Sequence, residues 1–126
     1  MSAFVRLILV VVVSVGWPAF AAAHARLIGS VPAARSTLKA PPSRVTLTFS
    51  ERLEPSYARV SVWDAGGSQI DLKDAALEPD GGKVLAVSLP PLGPGRYTVR
   101  YRVLSVDGHV VEASFVFTIG SLPRPP

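Results

Sequence analysis

Hydrophobic and polar residues alternate over much of the chain after residue 44. A period of two residues places every second side chain on the same face of an extended strand. The alternating apolar positions are Val45, Leu47 and Phe49; Val60 and Val62; Leu85, Val87 and Leu89; Tyr97, Val99, Tyr101 and Val103; and Ala113, Phe115, Phe117 and Ile119. Each set predicts a β-strand with one face turned toward a core, and we expect most of the aromatic residues to pack there.

Turn-forming residues separate these strands. Proline, glycine, aspartate and serine are concentrated at 41–43, 65–68, 79–82 and 90–95. Short strands with turns at this spacing are typical of an all-β sandwich. No segment keeps a helical period for long, and 126 residues suffice for one ordinary domain.

The first 23 residues differ from the rest and predict a secretory signal peptide. Arg6 precedes a short apolar run from Leu7 to Val15, and three alanines at 21–23 satisfy the small-residue cleavage rule. Cleavage would leave His24 as the first residue of the mature chain. The apolar run is short for a spanning helix of about 20 residues. We therefore expect a mature form that does not span a membrane and is exported to the periplasm or to an extracellular space.

Composition excludes several classes of site. With 48% hydrophobic residues the chain is too apolar to be disordered, and without cysteine it has no disulfide, zinc finger, iron–sulfur cluster or thiol nucleophile. Basic residues are scattered along the sequence, with Arg100 and Arg102 on the polar face of one predicted strand. They form no basic cluster with interleaved aromatics, so nucleic-acid binding is not expected. The domain is predicted to cover 24–120, followed by a proline-rich tail at 121–126.

Two histidines remain as candidates for chemistry. An N-terminal His24 would offer its α-amine and its ring Nδ1 to one metal ion, closing a six-membered chelate. Asp107 and His109 are two residues apart, so an extended backbone projects both to one side, and Gly108 between them allows a close turn. Alone, such a pair is a weak motif, because Asp-Gly is also a common hairpin turn.

Together these groups form a nitrogen and oxygen donor set if the N-terminus lies beside the turn. About four such ligands suit tetragonal Cu(II), which heads the affinity order of divalent ions. The single methionine is Met1, so the mature chain has no sulfur ligand of the kind that Cu(I) prefers. The residues therefore favour Cu(II) over Cu(I).

The chain resembles the CopC family of periplasmic copper-binding proteins from His24 to about Gly120. The resemblance is carried by five motifs: His24-Ala25 behind an alanine cleavage site, 30–33 (SVPA), 45–51 (VTLTFSE), 95–99 (GRYTV) and 101–109 (YRVLSVDGH). It implies a seven-stranded Greek-key sandwich or barrel, Ig-like or cupredoxin-like in class, with a Cu(II) site near one end. The implied ligands are His24, Asp107 and His109, with Glu51 as an outer-sphere or weak ligand.

The resemblance also implies function. We expect a non-enzymatic protein that binds one Cu(II) per chain and sequesters or delivers copper in homeostasis or resistance. The implied partner is an inner-membrane copper transporter or another periplasmic copper protein. Some family members carry a methionine-rich Cu(I) site, but no methionine occurs here between Glu51 and Tyr97.

Two other functions remain compatible with the residues alone. An N-terminal histidine with a second histidine also builds the histidine brace of copper monooxygenases that act on polysaccharides. Against this, the mature chain is small and shows no row of exposed aromatics for a flat sugar face. The third hypothesis is a metal-free Ig-like interaction module, in which Asp107 and Gly108 only form a turn.

Overall fold

The computed structural model describes residues 24–79 and 81–121, together with the isolated positions 14 and 16. Apart from these two positions, the predicted signal peptide lies outside the described residues, as do residues 122–126 of the tail. The described residues form eight strands: β1 Leu27–Val31, β2 Thr37–Leu38, β3 Arg44–Phe49, β4 Arg59–Trp63, β5 Ala76–Leu77, β6 Val84–Ser88, β7 Gly95–Leu104 and β8 Val110–Ile119. No helix occurs in this part of the chain, and hence none that could cross a membrane.

The strands form two four-stranded sheets, with the orders β1-β3-β6-β5 and β2-β8-β7-β4. Strands β3 and β4 follow each other in sequence but belong to different sheets, as the connections of a Greek-key sandwich require. The predicted all-β sandwich is confirmed, with eight strands instead of seven. The count differs because β2 and β5 are two-residue strands, too short for any alternation to mark them.

The core lies between the sheets and consists largely of the predicted alternating residues. Val45, Leu47 and Phe49 on β3 are completely buried, as are Val99 and Val103 on β7. The aromatic rings contribute two close pairs: Phe49 meets Tyr101 edge to face, and Tyr97 stacks on Phe117. Burial of these side chains is the main contribution that holds the sheets together.

Strand β8 departs from the predicted pattern in its first half. Ala113 is exposed and Phe115 is only half-buried, whereas Phe117 and Ile119 are buried as expected. The reason is that β2 pairs with β8 only opposite Thr118 and Ile119. Residues 110–115 thus lie at a sheet edge within the described part of the chain.

The hairpin of β7 and β8 positions the candidate site. The two strands pair in continuous register from Gly95–Ile119 to Leu104–Val110, and residues 105–109 form the turn that closes the pairing. This long, regular ladder fixes where Asp107 and His109 emerge. The turn lies at one end of the sandwich, as the resemblance implied.

Candidate metal centre

The turn at 105–109 is held by its own backbone. The Ser105 N–H donates to the His109 carbonyl at 3.0 Å, and the Gly108 N–H donates to the Ser105 carbonyl at 2.9 Å. Gly108 has a φ of 94°, a conformation that side chains disfavour, so glycine is needed here. The predicted close turn between Asp107 and His109 is present.

Within this turn Asp107 contacts the His109 ring. The Nδ1 of His109 lies 3.1 Å from Oδ1 of Asp107, and the backbone N–H of His109 donates to the same oxygen at 3.2 Å. A carboxylate that accepts a hydrogen bond from Nδ1–H fixes the tautomer and leaves Nε2 available to a metal ion. Both side chains are partly exposed, so an ion can reach them from solvent.

Ser105 forms a hydrogen bond to this carboxylate from the buried side of the turn. Its side chain is almost fully buried, and its hydroxyl donates to Oδ1 of Asp107. This hydrogen bond is the largest influence on the pKa of Asp107 and lowers it. Desolvation raises the pKa by a smaller amount, and the individually weaker contacts with His109 lower it further. The aspartate is therefore held ionised and ready to meet a cation.

The His24 segment is fixed to the same end of the molecule. Ala25 is completely buried, so it anchors the chain next to His24. The Ser50 hydroxyl accepts a hydrogen bond from the Arg26 N–H at 2.9 Å and lies 3.4 Å from the His24 carbonyl. The Ser50 N–H in turn donates to the Arg26 carbonyl at 2.8 Å.

These restraints bring the two histidine rings together. The ring centroids of His24 and His109 are 4.4 Å apart, with an interplanar angle of 75°. Two imidazoles at this distance, with the Asp107 carboxylate beside one of them, form a donor set that fits a borderline divalent ion such as Cu(II). The predicted juxtaposition of the mature N-terminus and the turn is thus present for the side chains.

Glu51 occupies the segment that joins the two halves of this site. Its neighbour Ser50 contacts the His24 segment, and its other neighbour Arg52 accepts a hydrogen bond from the Val106 N–H through its carbonyl, at 3.1 Å. Neither of the two ion pairs formed by the described residues includes Glu51. Its side chain is half-buried, close to the site in sequence and in backbone position.

The side chains alone do not form a complete metal cage. Within 24–79 and 81–121, no three His, Cys, Asp or Glu side chains converge closely enough to enclose an ion. The predicted fourth donor is the α-amine of His24, which exists only after cleavage before this residue. Its contribution is therefore central to the binding hypothesis.

Two serines are important to the site and were not assigned a role from the sequence. Ser50 and Ser105 both lie in the quoted motifs, but neither is a metal ligand by type. Ser105 could have been identified from the sequence, because it is only two residues from Asp107. Ser50 acts on His24 and Arg26 across a sequence separation of more than twenty residues, which no local pattern reveals.

Removal of the Ser105 hydroxyl tests its supporting role. In Ser105→Ala we expect the pKa of Asp107 to rise toward its usual value, measured by NMR titration of the carboxyl carbon in the metal-free chain. The lowered pKa of Asp107 stabilises the folded native chain at pH values above the unfolded-state pKa, and this stabilisation is lost as the pH falls through the folded-state pKa. In the variant the stabilisation is smaller, and its loss is complete at a higher pH.

The same variant should bind Cu(II) about tenfold more weakly, since groups that orient a ligand typically contribute that much. Ser68→Ala, at an exposed tip, is the control. An unchanged Asp107 titration and copper affinity in Ser105→Ala would contradict the supporting role.

Comparison with known proteins identifies a family that matches most of the chain. The CopC domain family matches residues 27–120. Protein YobA of Escherichia coli K12 is 35% identical over 98 residues, covering 77% of this chain and 79% of the relative.

Two solved structures match the fold with high coverage. The crystal structure of CopC from Methylosinus trichosporium OB3b has a TM-score of 0.72 at 35% identity, covering 77% of this chain and 94% of the other. The structure of PcoC, a methionine-rich copper resistance protein from Escherichia coli, has a TM-score of 0.68 at 29% identity, covering 77% and 99%.

The matched proteins decide between the three functions that the residues left open. PcoC is described as a copper resistance protein, and the CopC family match confirms the prediction of a non-enzymatic protein, against the monooxygenase hypothesis. A copper-related role likewise replaces the metal-free module. With nearly all of its described residues matched, the chain belongs to the CopC family.

Proposed function

We propose that this chain is exported, is cleaved before His24, and binds one Cu(II) ion at the end of the sandwich that carries the 105–109 turn. The observation that carries the proposal is the 4.4 Å approach of the His24 and His109 rings, with Asp107 3.1 Å from one of them. The role is chelation without turnover.

Each residue has a distinct task in this proposal. His24 supplies its amine and ring Nδ1, and His109 supplies the Nε2 that its bond to Asp107 leaves available. Asp107 supplies negative charge and a carboxylate oxygen. Glu51 acts as an outer-sphere or weak ligand, which suits its place between the two halves of the site. Binding requires loss of protons from the amine and imidazoles, so affinity falls in acid.

The donor set favours oxidised copper. No sulfur atom is present after Met1, whereas Cu(I) prefers thiolate and thioether ligands. The structurally similar PcoC is described as methionine-rich, and this chain has a single methionine at position 1. We therefore propose one Cu(II) site per chain and no Cu(I) site.

In the cell, the proposed role is to sequester copper in the periplasm or to deliver it to a partner. The partner would be an inner-membrane copper transporter or another periplasmic copper protein. The side chains of the proposed site are partly exposed at the end of the sandwich. Such a site suits transfer of copper to a partner better than a buried site would, because the partner's ligands can approach the ion directly.

Two aspartates of this chain provide a matched test. Asp107 and Asp74 are both exposed, and hydrogen bonds lower the pKa of each. Because only Asp107 lies at the site, Asp107→Asn should weaken Cu(II) binding about 10- to 100-fold, whereas Asp74→Asn should change it less than about twofold. Competition titration of the mature chain with a chelator of known copper affinity measures both. Equal effects of the two substitutions would show that only net charge matters and would refute the assigned site.

A further inference from the structure

A second concentration of charge lies on the outer face of the sheet that carries the candidate site. Strand register brings together residues that are far apart in sequence: Arg59 pairs with Arg102, Ser61 pairs with Arg100, and Arg102 also faces Glu112. The sequence placed Arg100 and Arg102 on one strand face, and the strand register adds Arg59 to form this arginine face. A groove of about 400 Å³ runs between these side chains.

The arginines of this groove form no ion pair among the described residues, although Glu112 lies opposite Arg102 and also lines the groove. The two ion pairs found among the described residues, Arg44–Glu78 and Asp107–His109, include none of them. Arg59 and Arg102 are directly opposed across neighbouring strands, and like charges in that position are destabilising. A bound anion would remove this repulsion.

Two of the guanidinium groups are already oriented. The Cζ of Arg100 lies 4.9 Å from the ring centroid of Trp63, and that of Arg102 lies 5.3 Å from the ring of Tyr57. Stacking restricts the long side chains, so less entropy is lost when they meet a ligand. The planar guanidinium presents a fork that matches a carboxylate.

The surroundings favour a peptide over a membrane surface. Residues 110–115 of β8 pair on one side only among the described strands, so backbone groups lie open beside the groove. An extended peptide can use such an edge, whereas a lipid headgroup cannot. The aromatic rings are covered by guanidinium groups and do not project as membrane-binding aromatics do.

We propose that this groove, formed around Arg59, Arg100 and Arg102, is a docking site for an acidic, extended segment of a protein partner. The arginine face lies next to the candidate copper site. Arg102 is two residues before Leu104, which forms the last pair of the β7–β8 ladder, with Val110, before the turn. Val106 and Val110 are exposed at this end and offer apolar contact. A segment bound in the groove therefore brings its protein to His109; this last step rests on the proposed copper function, whereas docking itself does not.

The test uses the metal-free mature chain and a dye-labelled hexaglutamate peptide, with fluorescence anisotropy at about 150 mM salt, where long-range attraction is screened. The double variant Arg59→Gln/Arg102→Gln should bind the peptide about tenfold more weakly than the native chain, since each partly exposed ion pair contributes modestly. The control, Lys39→Gln/Lys83→Gln, removes the same charge from exposed positions outside the groove and should change binding less than about twofold.

Each result decides the proposal. Equal weakening by both double variants would show non-specific attraction, and absence of peptide binding to the native chain would show that the arginines are merely solvated; either overturns it. Arginine-dependent binding to phosphatidylglycerol vesicles without peptide binding would make the occupant a membrane and also overturns it. Copper affinity, measured on the same variants, should stay unchanged, so a failed copper site and a failed docking site are distinguished.

Discussion

A mature chain that begins at His24 should lose at least about 100-fold in Cu(II) affinity when residues 19–23 are retained in front of it, because two of the proposed donors are then affected. The amine becomes an amide, and the new terminus is too far from the ring to close the same chelate. His24→Ala should produce a loss of similar size. Competition titration measures the affinities, and the intact mass of the exported chain identifies its first residue.

Control measurements distinguish loss of the amine as a ligand from loss of the folded structure. Ala25 is buried and Ser50 holds the neighbouring backbone, so the extended chain should melt at the same temperature as the mature one without copper. If the extended chain binds Cu(II) as tightly as the mature chain, the amine is not a ligand. Acetylation of the mature terminus provides a second variant with no added residues.

Replacement of Phe49 by alanine should lower the free energy of unfolding by about 3–5 kcal/mol, the usual cost of removing a fully buried phenylalanine. Phe49 lies at the end of β3, is completely buried, and meets Tyr101 across the two sheets. Urea unfolding of the metal-free chain measures the change.

Phe115→Ala provides a matched comparison at a half-buried position. Phe115→Ala removes the same atoms as Phe49→Ala, but these atoms have fewer packing contacts in the native chain. The loss in free energy of unfolding should therefore be clearly smaller. Equal losses in free energy of unfolding for the two variants would contradict the placement of Phe49 in the core and of Phe115 at its edge. Because Phe49 directly precedes Ser50, the Phe49 variant should also weaken copper binding through the His24 segment.

The strands were predictable where alternation was strong. The β3 residues Val45, Leu47 and Phe49 are buried as their pattern indicated, because one face of that strand is covered along its whole length. Ala113 followed the same pattern but is exposed, since its strand is at a sheet edge there. Strands β2 and β5 were not predictable, because two-residue strands are defined by their partners and not by their own sequence.

The site was predictable only in part for a related reason. Asp107 and His109 are two residues apart, so local geometry was enough to pair them. The approach of His24 to His109 depends on how β1, the segment after β3 and the hairpin turn meet at one end of the sandwich, which spacing in the sequence does not express. The prediction that His24 lies near His109 therefore depended on the family resemblance. The pairing of Arg59 with Arg102 required the register itself.

Electron paramagnetic resonance of the mature chain with one equivalent of Cu(II) tests the proposed copper site. We expect a tetragonal Cu(II) signal that integrates to one ion per chain, with splitting from three nitrogens: the amine and ring of His24 and the ring of His109. Retention of residues 19–23 should remove the splitting from the amine nitrogen and change the signal. A spectrum of free aqueous Cu(II), or a nitrogen signal identical in the mature and extended chains, would contradict the proposed site.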